Sequence, residues 1–138
     1  MPTPDEIASR PTVHDALDIE VVEATPDRVV LSVPVGPRVH QPYGILHGGV
    51  SALLAEGAAS LGGALAVAPD HIVVGTELNI SHLRAVTDGV VTATATPIRK
   101  GRQVHVWAIE LTDQDGRTIS VARCSLQVLP KVPGGTPS

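Results

Sequence analysis

His47-Gly48-Gly49-Val50-Ser51-Ala52-Leu53-Leu54-Ala55-Glu56-Gly57-Ala58-Ala59-Ser60-Leu61-Gly62-Gly63-Ala64-Leu65-Ala66-Val67-Ala68 is apolar almost throughout and holds one fully charged side chain, Glu56. Its length suits a single long helix that Pro69-Asp70 ends. At 100° per residue Leu46, Val50, Leu53, Leu54, Gly57, Leu61 and Leu65 fall on one face. Glu56 and Ser60 lie on the far side, in line with Gly49 and Gly63 and flanked by Ala52, Ala55 and Ala59. One face is large and aliphatic, and the other is built from small residues that let a backbone or a ligand approach closely. Internal glycines cost about 1 kcal/mol each relative to alanine in a helix, so burial must override propensity here. Five glycines and a mid-segment Glu make a poor membrane span, and amphipathic strands follow. The segment reads as a helix buried inside a folded domain. An ionised carboxylate in such surroundings costs several kcal/mol to desolvate unless it is paired. Chemistry is a common reason to keep one.

Downstream the chain reads as a strand meander over 72–83, 89–99, 103–112 and 117–129. The turn signals are Asp88-Gly89, Lys100-Gly101 and Asp113-Gln114-Asp115-Gly116. Upstream, Val29, Leu31, Val33 and Val35 alternate with Val30, Ser32 and Pro34, which is strand-like. Pro34 and Pro37 put that strand at an edge or end it. Residues 36–46 form a loop. Residues 1–18 suggest short helical turns and loop, 19–129 the folded domain, and 130–138 a disordered Pro- and Gly-rich tail. One long central helix wrapped by a curved antiparallel sheet of five to six strands, an α+β fold, satisfies this order. Bare strand edges would call for edge-to-edge pairing in a dimer.

Composition sets further limits. The chain has 138 residues, 43% of them apolar, and a net charge of −4. That is enough for one core, and it gives no net positive field for nucleic acid. Tyr43 and Trp107 are the only aromatics, so Val, Leu, Ile and Ala must build the core. A second subunit would help to bury enough area. Cys124 is the only cysteine, so no intrachain disulfide forms and a reduced compartment fits best. Met1-Pro2-Thr3-Pro4-Asp5-Glu6 lacks the basic and apolar regions of a signal peptide. The expected location is cytoplasmic, with no membrane partner. The histidines lack ligand spacing, so no metal or cofactor is expected.

Four features cluster: Gln41, His47-Gly48-Gly49, Glu56 and Ser60. The first N–H groups of a helix lack intrahelical partners and sit at the positive end of its dipole. Glycine there leaves room for a carbonyl, which is the design of an oxyanion site. Gln41 or His47 could supply a second donor. Glu56 lies roughly 12 Å along the helix from Gly48 by helical rise, too far to serve the same carbonyl. A twofold partner would join Gly48 and Gln41 of one chain to Glu56 of the other. Ser60, four residues on, could hold the carboxylate or a water.

Gln41-Pro42-Tyr43-Gly44-Ile45-Leu46-His47-Gly48-Gly49, followed by Ala55-Glu56 and Ser60, resembles the active-site segment of hotdog-fold acyl-CoA thioesterases. The group in question spans the phenylacetate-degradation, Glu-type 4-hydroxybenzoyl-CoA and 1,4-dihydroxy-2-naphthoyl-CoA thioesterases. Val74-Gly75-Thr76-Glu77-Leu78-Asn79-Ile80-Ser81-His82-Leu83-Arg84 and Gly101-Arg102-Gln103-Val104-His105-Val106-Trp107 continue the likeness over about residues 28–129. The resemblance implies hydrolysis of an aryl or medium-chain acyl-CoA to free acid and CoA. Glu56 would act as nucleophile or general base, and Gly48 N–H would polarise the carbonyl. Gln41 and His47 would orient that carbonyl, and Ser60 would assist. Gly49, His82, Arg84 and Arg102 would line the substrate surface. It also implies a homotetramer, a dimer of dimers. A hotdog-fold hydratase and a non-catalytic acyl-CoA-binding module are the alternatives; the second would not need Glu56.

Overall fold

The computed structural model describes residues 10–131. A one-turn helix, α1 (Val13–Ala16), starts at Thr12, whose hydroxyl accepts from the His14 N–H at 3.2 Å. Asp15 in turn accepts from the Thr12 N–H at 2.7 Å, closing a capping box. Then come β1 (Glu20–Thr25), β2 (Arg28–Pro34) and a short 3-10 turn (Pro37–Val39). The long helix α2 (Gly48–Val67) follows, and after it β3 (His71–His82), β4 (Val90–Lys100), β5 (Val104–Thr112) and β6 (Thr118–Pro130). All six strands form one antiparallel sheet in the order β1-β2-β4-β5-β6-β3. It curves around α2, which contacts every strand. This is the hotdog architecture, with six strands.

The strands form because their apolar residues keep a period of two. Val29, Leu31 and Val33 of β2, Val91, Ala93 and Ala95 of β4, and Trp107, Ile109 and Leu111 of β5 all turn inward and are buried. Thr92 and Thr94 turn outward and are half-buried. Gly89 and Gly116 take positive φ in the β2–β4 approach and the β5–β6 hairpin, where a side chain would be strained. In that hairpin Asp113 accepts from the Arg117 and Asp115 N–H groups and from the Arg117 guanidinium. Burial would raise its carboxyl, but these bonds outweigh that and hold it below the ordinary value.

β1 was not anticipated; all six of its residues are exposed, so no alternation marks it. Of the two readings of Pro34, that it ends the strand holds, and β1 flanks β2, so β2 is not at an edge. In α2 the buried residues are Ser51, Leu54, Ala55, Ala58, Ala59, Gly62 and Gly63. The core therefore meets mostly small residues, while Leu65 of the aliphatic stripe is 40% exposed. Closeness of approach is the reason. A Cβ on Gly62 would overlap the Trp107 ring, and one on Gly63 would lie 2.6 Å from Leu126. By length and apolarity alone α2 could cross a membrane; here it is the core helix of its own sheet. β6 runs through Pro130, where the tail was expected to begin. Residues 1–9 and 132–138, the outer parts of the two expected terminal segments, lie outside the described residues.

Candidate active site

The start of α2 is built by the loop before it. His40 and Leu46 form a β-bridge, the Gln41 N–H donates to Ile45 O at 2.8 Å, and Gly44 at φ 79° makes the turn possible. The Leu46 N–H donates to Val86 O and the His47 N–H to Val39 O, which docks the loop on the fold. His47 is the N-cap: its Nδ1 accepts from the Gly49 N–H at 2.8 Å. His47 thus occupies the Gly49 donor and does not itself donate through that nitrogen. Among the described residues the Gly48 N–H has no acceptor. It is the free donor at the helix terminus.

Beside it lies a cleft of about 410 Å³ whose polar wall holds Gln41, Gly48, Ser51, His82, Arg84 and Ser120. The Tyr43 N–H donates to Gln41 Oε1, so the amide oxygen is engaged and Nε2 is left to donate. His82 arrives from the other side. A three-residue connection turns β3 back along α2, so the end of the strand returns to the start of the helix. The His82 Nδ1 is 3.1 Å from the Ser120 hydroxyl, which fixes the ring. Its Nε2 would lie 2.7 Å from a Cβ on Gly48. Gly48 and Gln41 line this one cleft, and the His82 ring adjoins Gly48. A substrate carbonyl placed there would be polarised by preorganised donors.

No carboxylate lines that cleft. Glu56 sits two turns along α2 and is exposed in the protomer, not buried among apolar groups as the sequence suggested. Its carboxylate lies against Gly75 of β3, and among the described residues it has no hydrogen-bond or ion-pair partner. Ser60, one turn further, is half-buried and makes no bond to it. The fold therefore brings Gln41, Gly48, His82 and Arg84 together and keeps Glu56 and Ser60 apart from them.

Arg102 lies elsewhere. It lines a second cleft of about 590 Å³ at the C-terminal end of α2, with Ala66, His71, Lys100, Gln103 and His105. Gly48 and Ala66 are about 27 Å apart by helical rise, so His82, Arg84 and Arg102 do not form one surface in a protomer. His105 is 2% exposed, and its Nδ1 accepts a long bond, 3.4 Å, from the indole N–H of Trp107. Burial, and then Lys100 nearby, lower its pKa. Burial, with Glu56 and Glu77 nearby, pushes the Cys124 thiol up to about 11, which keeps it inert.

Sequence reasoning missed Ser51, Ser120 and the seat at Gly75. Ser51 and Ser120 are buried serines in apolar runs, and only the return of β3 to the helix start gives Ser120 a partner.

The model of the Thioesterase superfamily matches residues 43–120. A 1,4-dihydroxy-2-naphthoyl-CoA hydrolase of Listeria monocytogenes is 42% identical over 119 residues, 86% of this chain and 97% of its own. The proofreading thioesterase EntH of Cronobacter turicensis is 41% identical over 118 residues, 86% of each chain. The crystal structure of a thioesterase of Haemophilus influenzae superposes with a TM-score of 0.85 at 37% identity, covering 94% of this chain and 92% of that one. The match over residues 43–120, the relatives at 41–42% identity and the shared hotdog scaffold place the chain in the Thioesterase superfamily as a thioester hydrolase.

Proposed function

We propose that the protein hydrolyses aryl or medium-chain acyl-CoA thioesters in a site shared between two subunits. The observation that carries this is the division described above: a cleft with an open helix-terminal N–H and no carboxylate, and an exposed, unpaired Glu56 at the margin where α2 meets β3. In an antiparallel pairing of two α2 helices whose twofold passes near Ala52, Gly48 of one would lie level with Glu56 of the partner subunit. The Gly48 N–H and Gln41 Nε2 hold the thioester carbonyl. Glu56 of the partner subunit attacks it, or deprotonates the attacking water, and Ser60 stands one turn away to assist. His47 keeps the helix terminus open by capping Gly49, and His82 closes the cleft behind Gly48.

The same pairing gives Arg102 a role. Ala66 of the partner subunit lies about 15 Å beyond its Glu56 by helical rise. The basic cleft there sits where the far end of a pantetheine arm would deliver nucleotide phosphates. Edge-to-edge pairing of β3 would complete the dimer and cover an otherwise bare strand. The resemblance noted from the sequence implies a dimer of dimers in the cytoplasm, and the acidic net charge gives no field for a nucleic-acid partner.

Free-thiol release from benzoyl-CoA and octanoyl-CoA, with wild type and Glu56→Ala side by side and native mass from light scattering, tests the reading. A dimer or larger, with the variant slowed by about 10²–10⁴-fold, is expected. Near wild-type rate in Glu56→Ala would refute the role of Glu56, and a monomer mass would refute the shared site. CoA binding without thiol release from either ester would point to a sensor.

A further inference from the structure

β3 departs from its own pattern at one place. Val73 and Leu78 pack against the core, and between them Gly75, opposite buried Leu126, presents no side chain. The strand register slips immediately after it: Gly75 pairs with Leu126 and Glu77 with Ser125, so Thr76 is the extra residue of a β-bulge. The Thr76 hydroxyl donates to Ser125 O at 3.2 Å and pins that bulge. The slip is what allows Gly75 and Leu78, three positions apart, both to face the helix. Into the space above Gly75 comes the carboxylate of Glu56. A Cβ there would lie 2.6 Å from Oε1 and 3.1 Å from Cδ. Among the described residues no donor holds the carboxylate, so shape sets its position.

We propose that Gly75 is a positioning residue for Glu56: the missing side chain and the bulge at Thr76 seat the carboxylate against β3 with Oε1 towards Gly75, which leaves Oε2 as the outer oxygen. The proposal rests on the assignment of Glu56 made above. A reacting carboxylate must stand about 3–3.5 Å from the carbonyl carbon, or from the water it activates, and a misplacement of about 1 Å can cost on the order of a hundredfold in rate. A methyl on Gly75 forces the carboxylate back by about 0.8 Å to reach an ordinary 3.4 Å contact. Because the obstructed atoms are the far end of a flexible, exposed side chain, the fold itself gives way little.

The test is Gly75→Ala, assayed with benzoyl-CoA and octanoyl-CoA in wild-type and Glu56→Asp backgrounds. In the wild-type background kcat should fall about ten- to hundredfold with KM within about threefold and an unchanged melting curve. In Glu56→Asp the carboxylate is one methylene shorter and already withdrawn from Gly75. The same change should then cost less than about threefold. Full kcat in Gly75→Ala, or equal losses in both backgrounds, would overturn the proposal. If Gly75→Ala does not yield folded protein, Thr76→Val unpins the bulge without adding atoms beside Glu56. It should lower kcat severalfold at constant KM, and full kcat there would overturn the proposal equally. An inactive Glu56→Ala with a fully active Gly75→Ala removes only the seat. A fully active Glu56→Ala removes the assignment and the seat together.

Discussion

The same substitution made at two places on α2 should change stability in opposite directions. Gly62→Ala and Gly57→Ala each gain helix propensity, about 1 kcal/mol. At Gly62 the new methyl meets the Trp107 ring at overlapping distance. Trp107 is fully buried between strands, and its indole N–H is tied to His105, so the ring cannot swing aside. Forcing an extra methyl into a filled core costs about 1–3 kcal/mol, and with a rigid aromatic the upper end applies. The net expectation is a loss of about 1–2 kcal/mol. At Gly57 the methyl meets His14 Nε2 at 3.0 Å and Leu31 at 3.7 Å. His14 is half-buried on a one-turn helix, and a few tenths of an ångström suffice. The propensity gain survives, and the variant should be level with wild type or up to about 1 kcal/mol more stable. Urea denaturation at fixed protein concentration, with the slope checked for constancy, reads both values. A Gly62→Ala as stable as wild type would refute the account of helix-to-sheet distance. So would a Gly57→Ala destabilised as much as Gly62→Ala.

Two further predictions concern the basic cleft at the far end of α2. Burial and Lys100 lower the native pKa of His105, so between that value and the ordinary 6.5 the unfolded chain binds more protons than the native one. Stability therefore rises with pH through this window: it is fully present above about 6.5 and lost as pH falls towards the native value. Urea midpoints at pH 5.5 and 7.5 should show that slope, and His105→Gln, which keeps an acceptor for the Trp107 N–H, should flatten it; an unchanged slope counts against His105. Arg102→Gln should raise KM for acyl-CoA about tenfold at constant kcat, with the difference shrinking in high salt. An unaltered KM would place the nucleotide elsewhere.

The strand meander was legible in the sequence because its turns announce themselves. Asp88-Gly89, Lys100-Gly101 and Asp113 to Gly116 bracket runs of period two, and the observed strands differ from the expected bounds by only a residue or so. β1 was not, since Glu20 to Thr25 pair with β2 alone and stay exposed, leaving no buried face to write a pattern. Within the cleft, the open N–H of Gly48 was legible because the unpaired donors of a helix terminus follow from local sequence. The place of His82 was not. Only the antiparallel return of β3 along α2 sets its ring over Gly48, and no local spacing encodes a contact between residues 34 positions apart.

The orientation of α2 was illegible for a different reason, which bears on the proposed site. The faces of α2 differ in residue size and hardly in polarity, so the sequence does not say which of them meets the sheet. Its own curved sheet takes the side with Ala55, Ala58, Ala59, Gly62 and Gly63, where small residues permit the closest approach. α1 lays His14 over Gly57. Leu65 is exposed on the opposite side of the helix from Glu56; beside Glu56, Gly49 and Ala64 stay exposed and Leu53 and Ser60 are half-covered. Leaving that side in water would waste apolar area that the rest of the helix was built to bury. On the function proposed above, a second copy would remove it from water and, by the same act, carry an unpaired carboxylate to a cleft that lacks one. The single charge that made the helix odd as a core element would then serve a helix with two partners, its own sheet and a symmetry mate.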